Sequence, residues 1–267
     1  MSAPEPEPPR EPALPDGYFE ALAVVEDGHW WHRGMRAIAG ALLRDELRPG
    51  RPLLDAGCGT GGFLAWAAAQ GSGPLAGVDP SAEAVARARL RVPTGTIEVA
   101  ELARLPFDTA AFAVVACNDV LQHVDERDVA RSLAELRRVL RPDGVLLVRT
   151  NGGRRARRER HDWRLYDRTT LVDELEAAGF RCLRASPVNV IGSAAAAIRG
   201  HGPKAPTATT HGIPARPGRR QPPLHVLLGL EGALVRRGVR LPYGHTLVAL
   251  AVPAPSSTTR SPVSAER

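Results

Sequence analysis

The sequence predicts a doubly wound α/β sheet. Three observations carry that expectation. Seven short, near-continuous apolar runs recur along the chain, helical segments separate most of them, and a glycine-dense turn, "DAGCGTGG", follows the first run. Strands covered on both faces read as unbroken apolar runs, and β-α alternation is the pattern of parallel crossovers.

The strand-like runs lie at 52–57, 74–79, 96–101, 111–118, 144–150, 181–187 and 246–253. Each is rich in Val, Leu and Ala and is bounded by turn residues. Helical segments are expected near 62–70, 81–91, 126–140 and 170–179. Ser81, between "DP" and "AEAVARARL", is placed to cap its helix. Thr170 with Asp173 resembles a capping box ahead of "LVDELEAAG", which stops at Gly179. Ahead of the first strand, "WHRGMRAIAGALLRDEL" has the spacing of an amphipathic helix. Residues 188–245 form an insertion before the last strand. Its middle, 200–223, is rich in Pro, Gly and Thr, and two apolar segments, "IGSAAAAIRG" and "PLHVLLGLEGALVRRG", flank it. An insertion of this length reads as a lid or linker. The expected organisation is a tail at 1–17, one domain at 18–253 and a second tail at 254–267.

Composition excludes several classes. With 267 residues and 43% hydrophobic content the chain can bury a substantial core. The acidic, proline-rich start is not a secretory signal, and the longest apolar run, residues 110–117, is too short to cross a bilayer. Cys58, Cys117 and Cys182 make no disulfide framework and have no zinc spacing, which points to a reducing cytoplasm. The net charge of +6 and pI near 10 suggest an anionic partner. However, Lys204 is the sole lysine among 35 basic residues, an arginine bias typical of GC-rich coding, so nucleic acid is disfavoured. The run "GGRRARRERHDWR" at 152–164 is the one dense basic patch and reads first as a solvated face.

The glycine turn lies at the carboxyl end of the first strand, where open α/β sheets bind ligands. Its glycines bring backbone N–H groups close to a ligand, and the helix that follows favours an anion. A dinucleotide fits that description, and Asp79, 22 residues after Gly57, suits a ribose in either case. Asp55 separates the readings. A carboxylate two residues before Gly57 opposes a pyrophosphate but can receive an ammonium group.

The ordered series D-x-G-x-G-x-G, "GVDPS", an acid before "LPF", "NDVLQHV" and "LRPDGVLLV" resembles the class I S-adenosylmethionine (SAM)-dependent methyltransferases, most closely small-molecule enzymes of the ubiquinone-biosynthesis type. The resemblance covers residues 18–187 and the last strand. It implies a Rossmann-like, seven-stranded mixed sheet and SAM as cofactor. Gly57, Gly59 and Gly61 are then expected under the methionine part of SAM, with Asp55 near its amino group. Asp79 is expected on both ribose hydroxyls, Glu101 on the adenine amino group, Leu102 beside the ring and Asn118 on the methionine side. Arg36 stands where such enzymes carry an arginine for the SAM carboxylate, with Arg33 the competing choice. Trp30 and Trp31 either cover the cofactor or shape the acceptor pocket, or they pack in the core. Ala113 replaces an aspartate of the family that is usually structural.

A sulfonium methyl is already electrophilic, so positioning supplies most of the acceleration, and a base is needed only where the acceptor must lose a proton. His123 is the candidate base; the alternative is a histidine that caps its turn. Some quinone methyltransferases carry an acid-x-x-acid-His metal site here, but the residues are Asp119, Gln122 and His123, so no metal is expected. His161, Asp162 and Tyr166 are secondary candidates on the acceptor side. The sequence therefore predicts a SAM-dependent methyltransferase acting on a small or medium-sized organic acceptor in biosynthetic or specialised metabolism. The alternatives are an RNA methyltransferase and a non-catalytic binding scaffold.

Overall fold

The computed structural model describes residues 17–152, 164–190 and 224–255. Two helices, α1 (Tyr18–Val25) and α2 (Trp30–Leu42), precede β1 (Pro49–Ala56), α3 (Gly62–Ala69), β2 (Gly73–Asp79), α4 (Ala82–Arg91) and β3 (Thr96–Val99). Then come β4 (Phe112–Asn118), a 3-10 turn (Leu121–His123), α5 (Glu126–Val139), β5 (Leu140–Asn151), α6 (Arg168–Ala177) and β6 (Phe180–Val188). The described chain ends with α7 (Leu224–Arg236) and β7 (Thr246–Pro253).

The strands form a seven-stranded sheet in the order β3-β2-β1-β4-β5-β7-β6. The first five run parallel, while β7 is antiparallel to both β5 and β6. β1 and β4 are central neighbours, so the order reverses between them and opens a crevice at their carboxyl ends. Two apolar layers sandwich the sheet. One holds Leu54, Val115, Leu133, Leu136 and Leu175 on the α5–α6 side. The other holds Met35, Ile38, Leu53, Leu64, Val114 and Leu228 on the α2–α3–α7 side.

The expected elements form with shifted ends. Ser81 caps α4 as expected, its hydroxyl accepting from the Ala84 N–H at 3.2 Å. The cap of α6 is Asp167, not Thr170. Its carboxylate accepts from the Thr170 N–H at 2.8 Å, a stronger anchor at a positive helix end than a hydroxyl. α2 stops at Leu42 rather than running through "RDEL", and β5 begins four residues earlier than its apolar run. Helix α1 is additional: "YFEALAVV" offers little amphipathic signal and sits beside the proline-rich start. Within the expected insertion, α7 forms from "LHVLLGLEGALVR" and packs on α2. Segments 1–16, 200–223 and 256–267, "IGSAAAAIRG", and most of the basic run lie outside the described residues.

Candidate functional site

The site is built at the carboxyl ends of β1, β2 and β4. Gly57 has φ of 91°, and a Cβ there would strike Val120. The Gly57 and Cys58 N–H groups both donate to the Val78 carbonyl at 2.8 Å, which ties the turn to β2. Gly61 also has a packing reason. A Cβ would lie 3.0 Å from the Ala88 Cα, so its bareness lets α4 approach the start of α3.

Asp79 organises the turn from the end of β2. Its carboxylate accepts from the Gly59 N–H at 2.9 Å and the Ser81 N–H at 3.0 Å. Burial raises its pKa against the pull of those two bonds. Each carboxylate oxygen keeps a further lone pair for a hydroxyl.

Asp55 is deeply buried at the end of β1, next to Asn118 at the end of β4. Neither is satisfied: one Asp55 oxygen and both Asn118 amide atoms are buried without a well-formed hydrogen bond. Burial pushes the Asp55 carboxyl up to about 8, opposed by the Arg149 guanidinium and the Asn118 amide. Buried polar groups seldom stay unpartnered, because desolvation then goes uncompensated. A donor such as an ammonium group, arriving between these side chains, would satisfy them.

A cavity of about 250 Å³ opens beside the glycine turn, lined among others by Gly57, Glu101, Leu102, Val120 and His123. Thus Glu101 and Leu102, expected at an adenine, share one cavity with His123. The 3-10 turn therefore sets His123 at the end expected to hold the adenine.

The loop between α1 and α2 closes over the turn. The Glu26 carboxylate accepts from the Thr60 hydroxyl and from Arg91, and Asp27 pairs with the same arginine. Burial raises the Glu26 pKa, with Thr60 and Arg91 working the other way. Arg36 lies half-buried nearby and donates to the Asp27 carbonyl at 3.4 Å. Arg33 turns the other way and meets His225 on α7 at 3.1 Å. Of the two arginines, Arg36 is the one beside the glycine turn.

The acceptor-side candidates lie around β5. Arg149 forms a bidentate pair with Asp119, the closest contact 2.6 Å, and its guanidinium lies 5.3 Å over the Trp31 ring. Trp31 is itself nearly buried in the core layer beneath α2. Gln122 accepts from the Thr150 hydroxyl at 2.8 Å. Asp119 and Gln122, two of the three positions compared with a metal site, are thus bound into the fold. Tyr166, expected to line an acceptor pocket, is a core residue instead. It is 1% exposed, and its hydroxyl donates to Glu174 at 3.2 Å. A tyrosine that bridges Gly152 just before α6, with a paired carboxylate nearly two turns into that helix, packs inward at little cost. His161 and Asp162 lie outside the described residues.

His32 was not singled out by the sequence. Its Nε2 is buried without a partner, and burial, with Arg149, His29 and Arg36 adding repulsion, lowers its pKa to about 3. It is therefore a neutral imidazole that can hydrogen-bond a hydroxyl but would hold an abstracted proton poorly. The signal available was "HWWH", in which any of four aromatic side chains could have turned inward.

Comparison with known proteins accords with this geometry. A family model described as "Methyltransferase domain" matches residues 54–148. A probable S-adenosylmethionine-dependent methyltransferase of Mycolicibacterium smegmatis is 32% identical over 174 residues, covering 63% of this chain and 66% of the relative. Overall the chain spans about half the length of the curated relatives it matches (40%, 66% and 53% for three of them). Among solved structures, the fold is that of geranyl diphosphate C-methyltransferase from Streptomyces coelicolor A3(2), solved with S-adenosyl-L-homocysteine. That match has a TM-score of 0.54 at 18% identity, over 81% of this chain and 77% of that one. It is equally that of the [4+2]-cyclase SpnF, with a TM-score of 0.59 at 21% identity, over 89% and 95%. At such identities the likeness shows the fold alone.

Proposed function

The chain belongs to the class I SAM-dependent methyltransferases, and from that premise we propose that it methylates a small or medium-sized, partly apolar organic acceptor. The observation that carries the proposal is the pair of buried, unsatisfied side chains at Asp55 and Asn118 beside the glycine turn. SAM fits the donor set. Asp55 would receive its ammonium group, Arg36 its carboxylate, Asp79 its ribose hydroxyls, and Glu101 with Leu102 its adenine. When bound, SAM supplies an electrophilic methyl whose carbon–sulfur bond breaks as the acceptor lone pair attacks in line.

The chain's own residues then bind, orient and exclude water. The Glu26–Thr60–Arg91 contact would hold the α1–α2 loop over the methionine end and keep solvent out. Arg149, fixed by Asp119 and Trp31, would keep Asp55 more often charged than burial alone allows. His32 would orient an acceptor hydroxyl or amine through Nε2. His123, in the cavity with Glu101 and Leu102, would border the nucleoside. A weakly basic His32 favours acceptors whose nucleophile is already a free lone pair or anion, since proton removal then adds no barrier.

Calorimetry with purified protein tests the first step, and conversion of SAM to S-adenosylhomocysteine with fractionated small-molecule extracts tests the second. Mass spectrometry then identifies the acceptor as a species heavier by one methyl group. Absence of SAM binding sinks the proposal. Turnover with RNA but with no small-molecule fraction replaces its acceptor. Regarding RNA, the Arg164 guanidinium ends the basic run engaged inward, paired with Glu174 at 2.8 Å and stacked 4.6 Å over Tyr166.

A further inference from the structure

One face of α7 is apolar and plays no part in the site. Leu228, Gly232 and Val235 are buried on its inner face. Val226, Leu230 and Leu234 are 55%, 57% and 42% exposed. Their spacing of four residues lines them up as one stripe along the helix. Beyond the helix end, exposed Val239 and Tyr243 continue apolar surface.

Charge is distributed unevenly along the sequence. From 177 to 265 the chain carries eleven lysines and arginines against a single carboxylate, Glu231, and among the described ones Arg236 on α7 pairs with Asp45 at 2.5 Å. That carboxylate is buried, accepting from the backbone N–H groups of Asn189 at 2.6 Å and Val190 at 3.0 Å. Residues 1–176 hold more acids than bases, so the positive net charge of the whole chain comes from the part that contains α7. Arg237 and Arg240 are exposed just past the stripe.

We propose that α7, with Arg237 and Arg240 just past its end, docks on an anionic lipid bilayer. Aliphatic side chains would enter the interface while arginine stems lie along it with their charged ends at the headgroups. Nucleic acid would engage the arginines but leave the aliphatic stripe in water. A second copy would cover the stripe but bring the same arginines face to face. Only a surface both apolar and anionic satisfies the stripe and the charge together. The docked helix packs on α2, which carries His32 and Arg36, so the bilayer would lie one helix away from the site. A lipophilic acceptor could then be drawn from it.

The test is co-sedimentation of the full chain with vesicles of phosphatidylglycerol and phosphatidylcholine, and with phosphatidylcholine alone. The wild type is expected to bind the anionic vesicles at least tenfold more tightly, with binding weakened by salt. The triple variant Val226→Ser, Leu230→Ser, Leu234→Ser is expected to lose at least tenfold in vesicle affinity while keeping its melting temperature and SAM affinity. These substitutions lie on solvent, so folding is preserved, and the readout does not depend on methyl transfer. Failure of the wild type to sediment overturns the proposal. Equal binding by the triple variant also overturns it, since charge alone would then suffice. A wild-type dimer that the variant turns into a monomer assigns the stripe to a second copy and overturns it too.

Discussion

The two ends of the strand crevice treat their buried polar groups in opposite ways. At the glycine-turn end, Asp55 and Asn118 are buried and left unsatisfied. Around β5, Arg149 is paired with Asp119, Gln122 with Thr150, and Tyr166 with Glu174. An unpaired buried donor or acceptor costs on the order of 1–3 kcal/mol. The first end therefore stores a penalty that a ligand of fixed shape and charge can remove, whereas the second has satisfied these three groups from within the chain and leaves His32 Nε2 open. Specificity at the first end is written in the protein. At the second it depends on shape and on a few adaptable groups, chiefly His32.

The largest expected effect tests the first end. Asp79→Ala removes the acceptor proposed for the ribose together with the anchor of Gly59 and Ser81, bonds to a charged group at about 1.5–3 kcal/mol each. SAM affinity measured by calorimetry should fall by roughly 100-fold or more. An unchanged Kd would break the contrast by showing that the turn is not where the cofactor binds.

Next comes pH. The Asp55 pKa, at about 8, is raised above its ordinary value of 3.8, so burial favours the protonated form. The ligand-free protein should lose stability as pH rises from about 4 through 8, because the unfolded chain ionises first. SAM binding runs the opposite way, since its ammonium group needs the carboxylate. Affinity should weaken by up to about tenfold per pH unit as pH falls below 8, with proton release on binding above the value that SAM alone explains. Asp55→Asn should bind weakly at every pH. A wild-type profile that Asp55→Asn retains would assign the dependence to another group.

A stability measurement sharpens the second end. Asp119 sits at φ 58°, a conformation that asparagine tolerates. Asp119→Asn therefore removes the charge while keeping the backbone. The pair is only partly exposed, 12% for Arg149 and 30% for Asp119, so about 2 kcal/mol should be lost in denaturant unfolding. A loss within 0.5 kcal/mol, the scale of about an ordinary surface change, would mean that this end is not held by its own ion pair.

These contrasts also explain what could be seen beforehand. Buried parallel strands advertise themselves as apolar runs, and the glycine turn with Asp55 and Asp79 is local in sequence, so the sheet and the position of that turn were legible. Which side chains face one another across elements is not local. Glu26 reaches Thr60 and Arg91 from a loop after α1, a helix whose "YFEALAVV" carries weak periodicity. His32 acquires its role only because α2 lies against the end of β5. Tyr166 looked like a pocket residue for the same reason. Nothing near it in sequence reveals that Glu174, nearly two turns into α6, takes its hydroxyl inward.

The smallest effects separate two histidines. His123 shares a cavity with Glu101 and Leu102, so His123→Ala should weaken SAM binding by a few-fold, about 1 kcal/mol, with kcat nearly unchanged. His32 is held neutral, its pKa about 3, with Nε2 unpartnered beside Trp31 and Arg149. His32→Phe keeps the ring and removes the hydrogen bond. It should leave SAM affinity alone, raise KM for the acceptor or lower kcat by roughly tenfold, and leave the pH profile unshifted between 5 and 9, since the imidazole does not titrate there. If His123→Ala instead abolished kcat while leaving SAM affinity unchanged, the base would lie at the nucleoside end. The orienting role assigned to His32 would then fall with it.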